Sequence, residues 1–231
     1  CKKRAIKDMI IDKGDFWQKH ADVTPYVVAD IDPHPEHETK QSIAEFNAML
    51  DSDLCIQCGS CHYACPALDA NPDYLGPAAL TAAYRFSIDT RDEAAEERLK
   101  LTAQPGVGVW DCVKCFECAQ ACPKEINPIE KITKLHNMQF EYGIAERNIA
   151  TKHAEGFLRG MKKTGYLDEA DIVLYSEGIL GMHKHLKTAM KMMKSGKIHW
   201  HSGVPFINSV PEIKNLDEVQ KLIEISQTNK L

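Results

Sequence analysis

Apolar positions recur at helical spacing along most of this chain, and strict two-residue alternation is scarce, so the pattern predicts a mainly α fold. Ile43, Ala44, Phe46, Met49 and Leu50 predict a helix over 41–50. Gly76-Pro77 opens a buried helix through Ala78, Ala79, Leu80, Ala82, Ala83, Tyr84 and Phe86, with proline in its first turn. A further helix is predicted near Arg91–Leu101, ended by Pro105-Gly106. Asn127-Pro128 supplies a cap and a helix-compatible proline before Ile129, Ile132, Leu135 and His136. Helical segments follow at 151–163, 168–177, 180–195 and 215–227. Residues 1–40 read as a short helix and an extended stretch closed by the Asp30–Pro35 loop, a linker lying against the next domain or a partner. The expected organisation is therefore a linker and docking segment (1–40), a central helical domain (41–144) and a helical C-terminal extension (145–231).

Charge narrows the partners. With 28 basic and 33 acidic side chains the formal net charge is -5, which gives no support for a nucleic-acid surface. No apolar run approaches the roughly 20 residues that span a bilayer. Any membrane association would be peripheral. The chain starts at Cys1, followed by Lys2, Lys3 and Arg4, so it is not expected to be the primary translation product.

Eight of nine cysteines form two compact groups: Cys55, Cys58, Cys61 and Cys65, then Cys112, Cys115, Cys118 and Cys122. Each group reads C-x2-C-x2-C-x3-C-P, with Pro66 and Pro123 closing the runs, which is the spacing of two-cluster ferredoxins. Three cysteines at steps of three converge on one cluster, and the fourth reaches the other. The expected sets are Cys55, Cys58, Cys61 and Cys122 for one [4Fe-4S] cluster, and Cys112, Cys115, Cys118 and Cys65 for the second. The fold class is thus an α-helical ferredoxin-like two-cluster domain. Zinc is a weaker reading because the full spacing and its proline occur twice. Disulfides are weaker still, since close-spaced thiols would compete for partners. Cys1 stands outside the pattern. Small residues at Gly59, Ser60, Ala64, Ala119 and Ala121 leave room for inorganic sulfur, and amide hydrogens facing it tune the potential. All-cysteine ligation leaves no open iron for substrate, so no catalytic residue is expected in this chain.

Between the motifs, Asn71-Pro72-Asp73-Tyr74, Gly76-Pro77-Ala78-Ala79-Leu80, Ala83-Tyr84-Arg85-Phe86 and Asp89-Thr90-Arg91-Asp92 resemble the iron-sulfur subunit of succinate dehydrogenase and fumarate reductase. Upstream, Ile6–Asp12, Phe16 and Pro25-Tyr26 look like that family's linker. The resemblance implies an electron wire in a succinate:quinone or quinol:fumarate oxidoreductase, between a flavoprotein dicarboxylate subunit and a quinone-linked subunit. It also implies a [2Fe-2S] domain ahead of this region, which would be missing or separate here. Oxygen-sensitive clusters favour a protected face, so the chain is expected peripherally on the cytoplasmic side of a membrane or the matrix side of the mitochondrial inner membrane.

Two departures accompany the resemblance. Common family members lack the middle cysteine of the second motif and hold [3Fe-4S]; Cys115 occupies that position here, so [4Fe-4S] is expected. Asp69, Ala70 and Val113 replace the usual quinone contacts, and direct quinone binding in that pocket is not expected. Both changes resemble the variant class whose partner is a cysteine-rich heterodisulfide-reductase-like subunit, as do Lys152–Glu155, Phe157 and Gly165–Glu169. A heterodisulfide-reductase-like electron-transfer subunit of another respiratory complex is the alternative function.

Residues 181–201 carry Lys184, Lys187, Lys191, Lys194 and Lys197 without an acid, with Met182, Leu186, Met190 and Met193 largely opposite. Such a lysine face is most often simply solvated; it also fits an anionic membrane surface or an acidic subunit. His183, His185, His199 and His201 read as surface or partner contacts rather than metal ligands. His62 and His136 are expected to flank the clusters or to pack.

Overall fold

A computed structural model describes residues 5–8, 10–30, 36, 38–195 and 212–228. Cys1, Lys197, His199 and His201 lie outside the described residues, as do the side chains of Met182 and Met193. The chain divides into two compact units, residues 1–145 and 146–231.

In the first unit, a small antiparallel hairpin of β1 (Ala5–Lys7) and β2 (Ile10–Ile11) precedes α1 (Gly14–Asp22). Phe16, Lys19, His20 and Val23 share one face of α1 and its end, and all four are buried. The Lys19 ammonium donates to the carbonyls of Pro72 and Tyr74 and stands 3.6 Å from Asp15. A buried cation is costly unless its protons are satisfied, so this residue fixes α1 to the 72–74 turn. The N-terminal segment is therefore held by polar anchors as much as by its apolar side chains.

Next comes α2 (Ile43–Asp53), opened by a capping box in which Ser42 and Glu45 satisfy one another's amides. Its face is less buried than its pattern suggests: Met49 is fully covered, whereas Ile43, Phe46 and Leu50 are exposed. Short α3 (Ser60–Tyr63) and α4 (Pro66–Ala70) follow, then the long α5 (Gly76–Ser87). Downstream are α6 (Ala95–Ala103), a 3-10 turn (Val109–Asp111), α7 (Glu117–Gln120) and α8 (Pro128–Glu141).

α5 packs along α8, and both pack on α6. Leu68, Tyr74, Leu75, Leu80, Ala83, Leu99, Val109, Ile132 and Leu135 form the core between them. Each large apolar side chain buried there contributes about 1.5–3 kcal/mol before entropy is subtracted. Gly108 permits a close crossing, since a Cβ there would meet the Thr102 carbonyl oxygen at 1.8 Å. Leu75 donates to the Val107 carbonyl (2.8 Å) and Asn71 Nδ2 to that of Gly106 (2.7 Å). These bonds tie the segment leaving the first motif to the segment entering the second.

α6 starts later than the apolar pattern predicts, at Ala95 rather than Arg91, because two carboxylates organise the preceding turn. Asp89, its side chain fully buried, accepts from Arg85 (2.9 Å), from Arg91 Nε and Nη2 (2.8 Å each) and from the Arg91 amide (3.2 Å). The Arg91 guanidinium beside it holds its carboxyl below the usual carboxylate range. Asp92 accepts from the amides of Ala94 (2.9 Å) and Val28 (2.8 Å). Carboxylates that bond nearby amides compete with helix formation. Asn127 also departs from expectation: it precedes α8 in a left-handed conformation and makes no side-chain cap.

The second unit contains α9 (Ile149–Lys163), α10 (Glu169–Lys194) and α11 (Leu216–Thr228). An Asn148–Thr151 capping box starts α9. Buried Gly156 and Gly160 let other backbone come close, Gly156 lying against Ile172 of α10. Tyr175 donates to Glu155 (2.8 Å), and Arg159 reaches Asp171 (3.4 Å). α10 breaks at Gly178 (φ 72°, ψ -170°), between the segments 168–177 and 180–195 predicted from sequence.

Candidate functional site

The two cysteine motifs fold alike. In the first, Gln57 (φ 52°) and Gly59 (φ 83°) adopt left-handed conformations; in the second, Lys114 (φ 52°) and Phe116 (φ 65°) do so at the same positions. Alternation of left- and right-handed residues turns successive amides inward, as in an anion-binding nest. The Gln57 amide donates to Cys55, the Ser60 amide to Cys58 and the Lys114 amide to Cys112. Amides of Ala67 and Leu68 donate to Cys65, and that of Ala119 to Cys118. Phe116 holds a conformation disfavoured by roughly 1–2 kcal/mol for a side chain bearing a Cβ. Its sequence offered no sign of this beyond alignment with Gly59.

The thiols gather around two cavities. The first, about 410 Å³ counting solvent at its mouth, is lined by Cys55, Cys58, Cys61 and Cys122, with Phe16 and Thr81 among its walls. A second, of about 300 Å³, is lined by Cys65, Cys112, Cys115 and Cys118, with Tyr74 and Ile132 beside them. Each cavity thus takes three sulfurs from one motif and the fourth from the other. α5 and α8 contribute to both: Ala78, Thr81 and Pro128 face the first, Pro77, Ile129 and Ile132 the second.

Burial dominates the chemistry of these thiols. It raises Cys61 to about 12, helped by the neighbouring thiolates Cys55, Cys118, Cys58 and Cys122, and Cys118 to about 11, helped by Cys112, Cys65 and Cys115. Four thiolates cannot share such a space without a compensating cation, so metal loading has to displace protons. Single donors oppose the trend. Ser60 Oγ lies 3.3 Å from Cys58 Sγ, and once that sulfur is a thiolate only the hydroxyl can donate. Lys13 Nζ donates to the Cys58 carbonyl at 2.9 Å and adds positive charge. Buried Tyr74 donates to Cys112, its own pKa pushed up by burial and by Cys112. Tyr74 and Lys13 are site residues that the cysteine spacing does not reveal.

Among the described residues, no group of three or more His, Cys, Asp or Glu could hold a single metal ion. Metal–sulfur bonds of about 2.3 Å would require the sulfurs to crowd together. A polynuclear cage needs only that four sulfurs surround a cavity, because each binds a different iron.

The flanking histidines are packed. His62 is buried, with Nε2 3.1 Å from Asp15 Oδ2 and its ring edge-on to Phe16. The His136 ring lies 4.1 Å from that of Trp110, and burial, reinforced by Lys114, lowers its pKa to about 4. The unfolded imidazole takes a proton near 6.5 and the folded one does not, so stability is lost as pH falls from about 6.5 to about 4. The ring is partly solvated, which limits the loss to about 1–2 kcal/mol. His136→Gln is expected to flatten the denaturation midpoint across that interval relative to the parent protein; equal slopes would show that other groups govern acid stability.

Residues 51–126 match the family model described as "4Fe-4S dicluster domain", and this segment is accordingly a module for two 4Fe-4S clusters. Over that region the chain is homologous to the iron-sulfur subunits of succinate dehydrogenases and fumarate reductases. It is 39% identical over 137 residues to the succinate dehydrogenase iron-sulfur subunit of Paracoccus denitrificans, covering 59% of this chain and 52% of the relative. Identity to the fumarate reductase iron-sulfur subunit of Mycobacterium tuberculosis is 37% over 130 residues, covering 56% and 52%. The 8-methylmenaquinol:fumarate reductase iron-sulfur subunit of Wolinella succinogenes is 29% identical over 200 residues, 85% of this chain and 61% of the relative. An alignment of 200 residues exceeds the 145 of the first unit and so enters the second. The chain spans about half the length of the first two of these relatives.

Proposed function

We propose that this chain is the electron-transferring iron-sulfur subunit of a succinate:quinone or quinol:fumarate oxidoreductase complex, relaying electrons between a flavoprotein dicarboxylate subunit and a second redox subunit. Cys55, Cys58, Cys61 and Cys122 would hold one [4Fe-4S] cluster, and Cys65, Cys112, Cys115 and Cys118 the other. The observation that carries this reading is the exchange of the fourth thiol between the two cavities. When bound, the clusters supply one-electron storage and transfer.

The chain's own residues insulate and tune. Tyr74, Ile129 and Ile132 keep water from the second cavity, while Ser60, Lys13 and the inward amides offset charge at the sulfurs. At the loop tips, Ile56, Val113 and Phe116 are 60%, 64% and 56% exposed. Apolar side chains left in water beside a redox site suit partner docking. Dicarboxylate chemistry belongs to the flavoprotein, and reaction direction to the potentials of the partners. Among the described residues no helix is long and apolar enough to cross a membrane, and the subunit would sit peripherally, on a cytoplasmic or matrix face.

Anaerobic purification with iron, sulfide and flavin analysis tests the assignment. About eight irons and about eight sulfides per chain are expected, with a flavin-bearing partner co-purifying. Zinc at the eight cysteines would overturn it.

A second reading has its own support. Cys115 lines the second cavity with three other thiols, so a fourth iron would be retained where the common pattern would lose it. Together with Asp69, Ala70 and Val113 at the positions of the usual quinone contacts, this favours a cysteine-rich, heterodisulfide-reductase-like subunit as the second partner, in a dicarboxylate complex or another respiratory complex. Cys115→Ser is expected to convert the second signal alone to a three-iron type in redox-titrated electron paramagnetic resonance. Unchanged spectra would remove Cys115 from the ligand set. Failure of a flavin subunit to co-purify would favour the other respiratory complex.

A further inference from the structure

The helix that follows the break at Gly178 has no part in the cluster site, and its surface is sorted by chemistry. Lys184, Lys187, Lys191 and Lys194 are all exposed, and at 100° per residue they fall within an arc of about 80°. Ile179, 80% exposed, and Leu186 and Met190, each 44% exposed, form an adjoining strip centred about 100° away, while Leu180, 82% exposed, falls within the lysine arc at the N-terminal end of the helix. Residues 179–195 contain no acid, although the whole chain carries a net charge of -5. The basic flank is therefore local, not a by-product of composition.

We propose that residues 179–194 dock this chain onto an anionic membrane surface, lying in the plane of the interface. The apolar strip would enter the headgroup boundary, with the lysines along one edge at the level of the phosphates. At about 1.5 Å per residue the helix is some 24 Å long, too short to span. Identity of the cations separates a bilayer from an acidic protein. All four are lysines, whose flexible stems lie along an apolar face while the ammonium stays in water. Carboxylate recognition at a protein interface favours the bidentate fork of arginine, and anchors there are typically aromatic or arginine. The strip offers neither.

The test is sedimentation of the anaerobically purified full chain, or of its complex, with phosphatidylcholine vesicles with and without phosphatidylserine. Binding is expected only with the anionic lipid, and is expected to fall with salt. Replacing lysines by glutamine should weaken partition about fivefold per residue, abolishing it in the fourfold variant. Leu186→Ser with Met190→Ser should weaken it independently at unchanged lysine charge. Circular dichroism and iron content check that both variants fold. Equal binding to both vesicle types, no binding to either, or binding untouched by the lysine variants would overturn the proposal. Capture by immobilised poly-glutamate without vesicle binding would also overturn it, assigning the helix to an acidic protein. None of these readouts depends on the redox assignment.

Discussion

Cys65→Ser is expected to empty the second cavity while leaving the first occupied, although Cys65 belongs to the first motif. The residue lines the cavity formed by Cys112, Cys115 and Cys118, and its sulfur accepts amides from Ala67 and Leu68. Without it, the three thiols that remain all belong to the second motif, so the first motif no longer closes the cavity, as it still would in Cys115→Ser, and the proposed cluster cross-link across residues 66–111 disappears. By loop-closure arithmetic a cross-link over 46 residues is worth at most about 4 kcal/mol, and less while the other cluster still ties the motifs together. Iron content should fall toward half, one paramagnetic signal should vanish, and the thermal midpoint should drop by several degrees. If instead the signal that disappears is the one lost in Cys58→Ser, each motif keeps its own four cysteines and the exchange is wrong.

Arg98→Met should be the most damaging substitution outside the cysteines. Arg98 is 2% exposed and pairs through Nη1 and Nη2 with Asp92, whose side chain is fully buried. The same guanidinium donates to the carbonyls of Val23 and Thr24 (3.1 Å each) and Tyr26 (2.8 Å). Removing one member of a buried pair strands the other charge, which costs about 3–5 kcal/mol. Denaturant titration should show that loss, and hydrogen exchange should show residues 23–28 released first. Adding Asp92→Asn should recover part of it, because the stranded carboxylate is gone. A loss below 1 kcal/mol would mean that Asp92 finds water and that the pair does not anchor the segment.

Much of this architecture was legible in the chain. Helical periodicity located α5, α8, α9 and both halves of α10, since each carries an apolar stripe and a recognisable start or break. Cysteine spacing grouped the thiols that line each cavity, because steps of three residues bring three sulfurs to one place and the fourth, four residues further on, lies beyond it. What escaped was polar. Nothing in the sequence pattern singles out Lys19, Arg98, Asp89 and Asp92 as interior groups, yet the side chain of each is buried and saturated with hydrogen bonds that connect distant segments. Local pattern carries no signal for such contacts, so the late start of α6 was missed with them. The left-handed Phe116 was hidden for a related reason: glycine normally marks that conformation, and here only the repeat with Gly59 betrays it.

The sharing of sulfurs between motifs also sets an order of events during synthesis. A nascent chain ending at residue 111 holds all four cysteines of the first motif, but only three of them, Cys55, Cys58 and Cys61, line the first cavity, whose fourth thiol is Cys122. Until the ribosome has passed residue 122, the first cage lacks a wall, and every truncation before that point should emerge metal-poor. On the proposed ligand sets, loading of the first cage would consequently wait for completion of the second motif.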